Sequence, residues 1–268
     1  RAHTSACTEL FHKKNFYLQF DPRGGIMGSR RVVSIIFDLD NTLIDTAGAG
    51  RIAIQKVSEL LKSADVQERH VGAICECFLQ KLLNESFDPL HGKTIDDVRI
   101  QHWCEALQEP QGADPNAALA SKCYYTWKNT RLEALTMTSE VRALLEELQK
   151  NYKLVLLTNG DTQTQREKIE AVKCEGLFSV VVVGGDHPEQ KPALSIFTHC
   201  FESAGVQPYD CIMVGDSLST DIKGGINAGV RATVWINSEG TSLPRGSVIP
   251  DYTVPTVLKL NEVLAQLK

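Results

Sequence analysis

The sequence VVSIIFDLDNTLID, residues 32–45, decides the fold class of this chain. It opens with a β-branched and aromatic run, which is typical of a strand buried on both faces of a parallel sheet. Asp38 and Asp40 follow where such a strand would end. Side chains two residues apart along an extended segment point the same way, so both carboxylates can face one pocket. Their mutual repulsion would favour a bound cation there.

The composition indicates a globular protein with one large domain, or one domain with an insertion. The chain has 268 residues, 43% of them hydrophobic, and a net charge of −5, which gives no basic surface for nucleic acid. No apolar run reaches the roughly 18 residues that a membrane span needs. Eight cysteines are scattered without zinc-ligand spacing, which favours reduced thiols. We therefore expect a cytoplasmic protein that binds neither nucleic acid nor membrane.

The order of predicted elements divides the chain into three parts. Residues 1–26 are mixed and non-periodic, and we expect an extension or a disordered arm there. Residues 46–130 carry about four amphipathic helices without a strand between them, which indicates a helical insertion after the first strand. Strands alternate with helices in residues 27–45 and 131–268. This alternation predicts an α/β core with a doubly wound, Rossmann-like parallel sheet.

Polar residues follow the predicted strands at one edge of the sheet. Four strands are predicted after the first, at residues 153–157, 179–183, 211–214 and 232–236. The carboxyl ends of parallel strands meet at one edge, where open α/β sheets bind their ligands. The residues predicted to converge there are Asp38, Asp40, Thr158, Asn159, Lys191, Asp216 and Asp221. The residue after Lys191, Pro192, is predicted to lie in the first turn of the next helix, where its missing N–H costs little.

This set of side chains suits a divalent cation together with a phosphate group. Hard oxygen ligands select Mg²⁺, which commonly uses one or two carboxylates and keeps several waters. Lys191 would neutralise phosphate charge, and Thr158 with nearby backbone N–H groups would donate to phosphate oxygens. Asp38 could then attack phosphorus and form an aspartyl-phosphate. Asp40 could protonate the leaving oxygen and later deprotonate the hydrolytic water.

Taken singly, each of these residues has an ordinary structural explanation. Lys191 could be a solvated surface charge, and Thr158 a hydrogen bonder at a strand end. Asp221 could merely stabilise the N-terminal turn of a helix through the helix dipole. A non-catalytic phosphosugar-binding protein is a further alternative, but binding alone does not require a general acid such as Asp40.

Four motifs in this order resemble those of the haloacid dehalogenase (HAD) superfamily. They are DLDNT at 38–42, Thr158 after LVLL, Lys191 before Pro192, and GDSLSTD at 215–221. The resemblance implies a Mg²⁺-dependent phosphomonoesterase with Asp38 as nucleophile and Asp40 as general acid and base. It implies Mg²⁺ ligation by Asp38, the backbone carbonyl of Asp40, Asp216 and, in a supporting role, Asp221, and phosphate binding by Leu39, Thr158, Asn159 and Lys191. The helical residues 46–130 resemble the mobile cap that selects substrates in this superfamily.

One branch of the superfamily is especially similar. The likeness runs through FDLDNTLIDTAGAG, LLTNGDTQTQREKIEA, VVVGGDHPEQKPALSIF and GINAGVRATVWIN. It implies hydrolysis of N-acylneuraminate 9-phosphate, a phosphorylated sugar acid, during sialic acid biosynthesis. Another sugar-phosphate or phosphoglycolate phosphatase, or a phosphosugar mutase, stays open as an alternative. Dehalogenation is disfavoured, because Asp40 supplies an acid and base that halide displacement does not need.

Overall fold

A parallel sheet forms the centre of the fold. The computed structural model describes residues 31–64, 66–85, 92–108 and 116–267, so the expectation for residues 1–26 lies outside the described residues. The strands in these ranges are β1 Ser34–Phe37, β2 Lys153–Thr158, β3 Val180–Val183, β4 Cys211–Gly215, β5 Ala232–Ile236 and β6 Tyr252–Val254. Their order in the sheet is β3-β2-β1-β4-β5-β6 and every pairing is parallel. The predicted doubly wound α/β fold class is confirmed.

Helices fill the connections between the strands. In the described part of the chain they are α1 Thr46–Ser63, α2 Glu68–Leu83, α3 Ile95–Gln108, α4 Ala117–Ala134, α5 Ser139–Leu148, α6 Thr162–Ala171, α7 Leu194–Ala204, α8 Lys223–Ala228 and α9 Leu260–Gln266. Side-chain caps begin several of them; for example, Asp161 accepts a hydrogen bond from the Thr164 backbone N–H at 2.9 Å. Among the described helices, none combines the length and the apolar character that a membrane crossing requires.

Alternate strand residues face opposite sides of the sheet, and helices cover both sides. Ile35 and Phe37 of β1 join one apolar core with Leu145 of α5 and Leu264 of α9. Ile36, between them in sequence, joins a second core on the other side with residues of α7, including Phe197. Each such side chain contributes roughly 1.5–3 kcal/mol when fully buried. After Ser34 the central strand is therefore apolar, and its two carboxylates, Asp38 and Asp40, lie beyond its end.

The helices α1 to α4 have a separate apolar core, and we call these four helices the helical block. Phe78 of α2 stacks on Trp103 of α3 with ring centroids 4.0 Å apart, and Trp127 of α4 meets Phe78 edge-on at 5.2 Å. The predicted run of helices between the first and second strands is thus present. The assignment of residues 46–130 as a distinct cap domain, and of 27–45 and 131–268 as the core domain, stays a prediction.

The sheet order places a ligand crevice between β1 and β4. The chain moves from β1 to β2 and β3 on one side, and from β4 to β5 and β6 on the other. The carboxyl ends of the strands at such a switch point form the crevice in which open α/β sheets bind ligands. Asp38 follows β1 and Asp216 follows β4, so the two residues flank this crevice.

The prediction that Pro192 lies in the first turn of a helix was wrong. The helix α7 begins two residues later at Leu194, and Ala193 occupies its N-cap position in extended conformation. The reason is that the preceding backbone is held elsewhere: the Lys191 N–H donates to Asn159 Oδ1, and the Asn159 amide donates to the Lys191 carbonyl, both at 2.9 Å. Lys191 and Pro192 therefore form a turn ahead of the helix.

Candidate active site

Asp38 lies in the crevice because the sheet fixes its backbone. Its N–H continues the ladder beyond β1 and donates to the Val214 carbonyl of β4 at 2.9 Å. The side chain is buried. Its Oδ1 accepts a hydrogen bond from Lys191 Nζ at 2.7 Å, and its Oδ2 accepts one from the Thr42 hydroxyl at 3.3 Å. The carboxylate predicted to be the nucleophile is thus held in one orientation.

Lys191 connects the ends of several strands. Its buried ammonium lies 2.7 Å from Asp38 Oδ1, 2.8 Å from Asp221 Oδ1 and 2.7 Å from the Leu157 carbonyl of β2. Burial alone would lower the pKa of Lys191, but the two carboxylates raise it above its usual value. The lysine is therefore a permanent cation in the crevice, and the structure brings it to Asp38 as predicted.

The turn after β4 positions Asp216 and Asp221. Asp221 belongs to a π-helical turn, Leu218–Ile222, and its Oδ2 accepts a hydrogen bond from the Ser217 N–H at 3.0 Å. A Cβ at Gly215 would lie 2.3 Å from this oxygen, so a glycine at the strand end gives Asp221 its room. The Trp235 indole donates to the Asp216 carbonyl at 2.8 Å, which fixes the backbone there.

The three carboxylates Asp38, Asp216 and Asp221 form a cluster that suits a divalent cation. Each offers one oxygen, and these oxygens lie within 4.8 Å of one another. Burial raises the pKa of Asp38 to about 7 against the opposing effect of Lys191, and raises the pKa of Asp216 to about 6 with Asp221 adding to the effect. One lysine does not neutralise three carboxylates. The hard oxygen donors and the surplus of negative charge fit Mg²⁺.

The carboxylate of Asp40 is held by side chains that the sequence analysis did not identify. Lys168 Nζ lies 2.8 Å from both of its oxygens, Gln165 Nε2 donates to Oδ2 at 3.0 Å, and the Thr46 hydroxyl donates to Oδ1. Burial alone would raise the pKa of Asp40, but Lys168 lowers it to about 2. Asp40 is therefore ionised in this arrangement. Protonation of this carboxylate would require its separation from Lys168.

Thr158 and Asn159, predicted to bind phosphate, use their side chains within the protein. Thr158 is fully buried at the end of β2, and its hydroxyl accepts a hydrogen bond from Gln165. The side-chain amide of Asn159 is hydrogen-bonded to the backbone of Lys191, as described above. Leu39 is also buried. The phosphate contacts predicted for these residues, and the metal contact predicted for the Asp40 carbonyl, stay predictions.

The side chains that the sequence analysis missed lie on helices around a large cavity. This cavity has a volume of about 1130 Å³ and is bounded by Asp40, by Gln165 and Lys168 of α6, by Arg99 of α3 and by Arg131 of α4, among other residues. Gln165 and Lys168 are three residues apart, so they share one face of α6. The spacing in the sequence thus shows that the two side chains belong together, but not that their face of α6 meets Asp40.

The comparisons with known proteins place the chain in a class. The family of haloacid dehalogenase-like hydrolases matches residues 35–235, and the chain belongs to this family. The N-acylneuraminate-9-phosphatase of Rattus norvegicus is 51% identical over 241 residues, which are 90% of this chain and 97% of the relative. The predictions of the HAD superfamily and of a phosphoric monoester hydrolase are confirmed.

Solved structures show the same fold. The HAD-hydrolase YfnB of Bacillus subtilis, bound to magnesium, matches with a TM-score of 0.65 and 22% identity, over 87% of this chain and 99% of that chain. A 2-haloacid dehalogenase of Pseudomonas syringae matches with a TM-score of 0.63 and 27% identity, over 88% of this chain and 100% of that chain. Hydrolases of different chemistry thus share this architecture, so the fold alone does not identify the substrate.

Proposed function

We propose that this chain hydrolyses N-acylneuraminate 9-phosphate to N-acylneuraminate and phosphate, with Mg²⁺ as cofactor, in cytoplasmic sialic acid biosynthesis. The observation that carries the proposal is the near full-length likeness to the rat phosphatase, at 51% identity over 90% of the chain. The site supports it, because Asp38, Asp216 and Asp221 cluster beside the buried cation of Lys191.

In the first step Asp38 attacks phosphorus and the bond between phosphorus and the sugar oxygen breaks. In the structure, Lys191 donates a hydrogen bond to Asp38 Oδ1. We infer that during the reaction the lysine also neutralises charge on the transferring phosphoryl group. Asp40 donates a proton to the leaving oxygen; because it is ionised beside Lys168, it must first separate from the lysine and take up this proton from water. The products of this step are the free sugar acid and an aspartyl-phosphate on Asp38.

In the second step water hydrolyses the aspartyl-phosphate. Asp40 removes a proton from the attacking water, and its low pKa allows it to be ionised at this stage when it is again near Lys168. Asp38 leaves as a carboxylate and inorganic phosphate is released. The cluster of Asp38, Asp216 and Asp221 would hold Mg²⁺, which supplies charge neutralisation at the phosphate oxygens.

The helical block would act as the cap over this site. Its α3 and α4 contribute Arg99 and Arg131 to the wall of the cavity that Asp40 also lines. At about 1130 Å³ the cavity slightly exceeds the roughly 300–1,000 Å³ of typical small-molecule sites. This space accommodates a nine-carbon sugar acid, whereas phosphoglycolate would leave most of it unfilled.

The proposal is tested by phosphate release across a panel of phosphate esters. We expect the highest kcat/KM on N-acetylneuraminate 9-phosphate, lower values on hexose 6-phosphates and phosphoglycolate, and loss of turnover when EDTA removes the metal. Readdition of Mg²⁺ should restore turnover. The variant Asp38→Asn serves as the matched control for contaminating phosphatases.

Three results would contradict parts of this proposal. A higher kcat/KM on phosphoglycolate or a hexose phosphate would overturn the substrate. Turnover that survives thorough chelation would overturn the metal requirement. Recovery of the phosphate on a second hydroxyl of the sugar, rather than as inorganic phosphate, would indicate a mutase.

A further inference from the structure

Arg131 is a cation in the cavity that has no anionic partner among the described residues. It lies in the last turn of α4, four residues after Trp127, and its guanidinium sits over the Trp127 ring at 5.1 Å from the ring centroid. The side chain is half-buried and lines the cavity. Within the described part of the chain, no hydrogen bond or ion pair to an acceptor engages its guanidinium. The aromatic ring fixes the group without neutralising it.

Of the other cations that line the cavity, the two buried ones each have an anionic partner. Arg99 forms a paired contact with Glu85, with Nη2 2.9 Å from Oε1 and Nε 3.1 Å from Oε2. Lys168 has the carboxylate of Asp40. These pairs satisfy their members, so any anion that enters the cavity meets Arg131 as the available guanidinium.

The charged lining of the cavity has one cation in excess. Among the described residues that bound it, the cations are Lys93, Arg99, Arg131 and Lys168, and the anions are Asp40, Glu85 and Asp161. Burial also lowers the pKa of the Arg131 guanidinium, and the attraction to Asp40, which is paired with Lys168, does not offset this effect. A monoanionic group on a ligand would remove that cost. A guanidinium binds a planar carboxylate through two parallel N–H donors, so a carboxylate is the best match.

We propose that Arg131 binds the carboxylate of the sugar-acid substrate, and so selects phosphorylated sugar acids over neutral phosphorylated sugars. This inference rests on the proposed function and names its specificity-determining residue. The phosphate end is matched elsewhere, because Lys191 stands with Asp38 and Asp221 at the strand ends. Arg131 stands on the helical block, in the wall of the cavity that Asp40 also lines.

The test compares two substrates that differ only at the carboxylate. N-acetylneuraminate 9-phosphate and its methyl ester carry the same phosphate and sugar, but the ester has no negative charge at the first carbon. The wild-type protein should prefer the acid. Arg131→Gln should lower kcat/KM for the acid by roughly 10- to 150-fold, the range for loss of a hydrogen bond to a charged group, and should reduce the acid-to-ester ratio to near one. Arg131→Lys should retain an intermediate ratio.

A matched control separates this effect from a general loss of positive charge. Arg69 is an exposed arginine of α2 that does not line the cavity, and Arg69→Gln should leave both the acid-to-ester ratio and the rates unchanged. A second readout does not depend on turnover. Calorimetry measures the affinity of the acid and of the ester for the Asp38→Asn protein and for the double variant that also carries Arg131→Gln. The acid should bind more weakly to the double variant than to Asp38→Asn, by the same factor by which Arg131→Gln lowers kcat/KM.

The outcomes distinguish this inference from the proposed function. If Arg131→Gln leaves the acid-to-ester ratio of kcat/KM unchanged while the wild type hydrolyses the acid, Arg131 does not bind the carboxylate and the proposed function stands. If the wild type hydrolyses no sugar phosphate, the proposed function fails and the calorimetry still decides the role of Arg131. Equal binding of acid and ester to the Asp38→Asn protein would overturn the inference.

Discussion

The ion pair of Lys168 and Asp40 allows a quantitative prediction about the cost of a buried charge. The Lys168 side chain is 5% exposed and the Asp40 side chain 26%. Against the effect of burial, Lys168 lowers the pKa of Asp40 from 3.8 to about 2, which favours folding by about 2 kcal/mol at neutral pH. Burial lowers the pKa of Lys168 from 10.5 to about 8, which opposes folding by about 3 kcal/mol. Both values already include the attraction between the partners, so the intact pair does not stabilise the fold.

Removal of only one partner should nevertheless be costly. Lys168→Met keeps the apolar stem but leaves the Asp40 carboxylate ionised and without its counterion. Breaking a buried pair in this way costs about 3–5 kcal/mol, and we expect about 3 kcal/mol because a quarter of the Asp40 side chain is exposed to water. The double variant Asp40→Asn with Lys168→Met contains no buried charge at this position. It should recover most of the lost free energy of unfolding.

The pH dependence of this loss has a definite sign. In the wild type the depressed pKa of Asp40 stabilises the fold above pH 3.8, and this contribution is lost as the pH falls through about 2. Without Lys168, the hydrogen bonds from Thr46 and Gln165 still oppose the effect of burial, but burial is the largest contribution, and we expect it to raise the pKa of Asp40 above that of the unfolded chain. The folded variant then binds a proton more tightly than the unfolded one, so its deficit should shrink as the pH falls.

Urea unfolding of the wild type, both single variants and the double variant, at about pH 7.5 and about pH 5, measures these free energies. The reasoning is refuted if Lys168→Met loses equal free energy at the two pH values. It is also refuted if the double variant is as unstable as Lys168→Met, because the uncompensated charge would then not be the cause.

Two further predictions concern the nucleophile and the packing beneath the site. Asp38→Asn should abolish phosphate release, and a variant with near-native turnover would disprove the role of Asp38 as nucleophile. The free energy of unfolding of the metal-free variant should equal or exceed that of the wild type, because burial already disfavours the ionised form of Asp38. Gly224→Ala should cost roughly 1–3 kcal/mol in urea unfolding, because its Cβ would lie 2.4 Å from the Phe197 ring. Gly50→Ala in α1 is the matched control, because no atom lies within 4 Å of a Cβ placed there. This substitution should be neutral or stabilise the helix by up to about 1 kcal/mol. An equal loss of stability in both variants would rule out the packing explanation.

The sheet and the carboxylate cluster could be predicted from the sequence because their signals are local. Each central strand is a short apolar run, and the residue that follows it is polar, as Asp38 follows β1 and Asp216 follows β4. The parallel topology then brings these ends together without further information. The short strand β6 had no such signal, because its three residues lie between Pro250 and Pro255 and are too few for an alternating pattern.

The partners of Asp40 could not be predicted, because they depend on how helices pack. Spacing shows that Gln165 and Lys168 share a face of α6, but not that this face meets Asp40. The same limit applies to Arg131. Its position on α4 follows from the helical pattern, whereas its lack of a counterion among the described residues depends on how the helices pack in the folded protein.

The attachment of the helical block to the sheet has a consequence for how such a protein can change over time. Ala49, near the start of α1, and Leu132, near the end of α4, both pack on the core beside the sheet, and α1 packs along α4. The entry and exit of the insertion are thus tethered at one place. Another insertion of similar span could replace it through these two junctions and leave the phosphoryl-transfer centre untouched. New substrates can then be acquired in evolution by exchange of one segment, without reinvention of the chemistry.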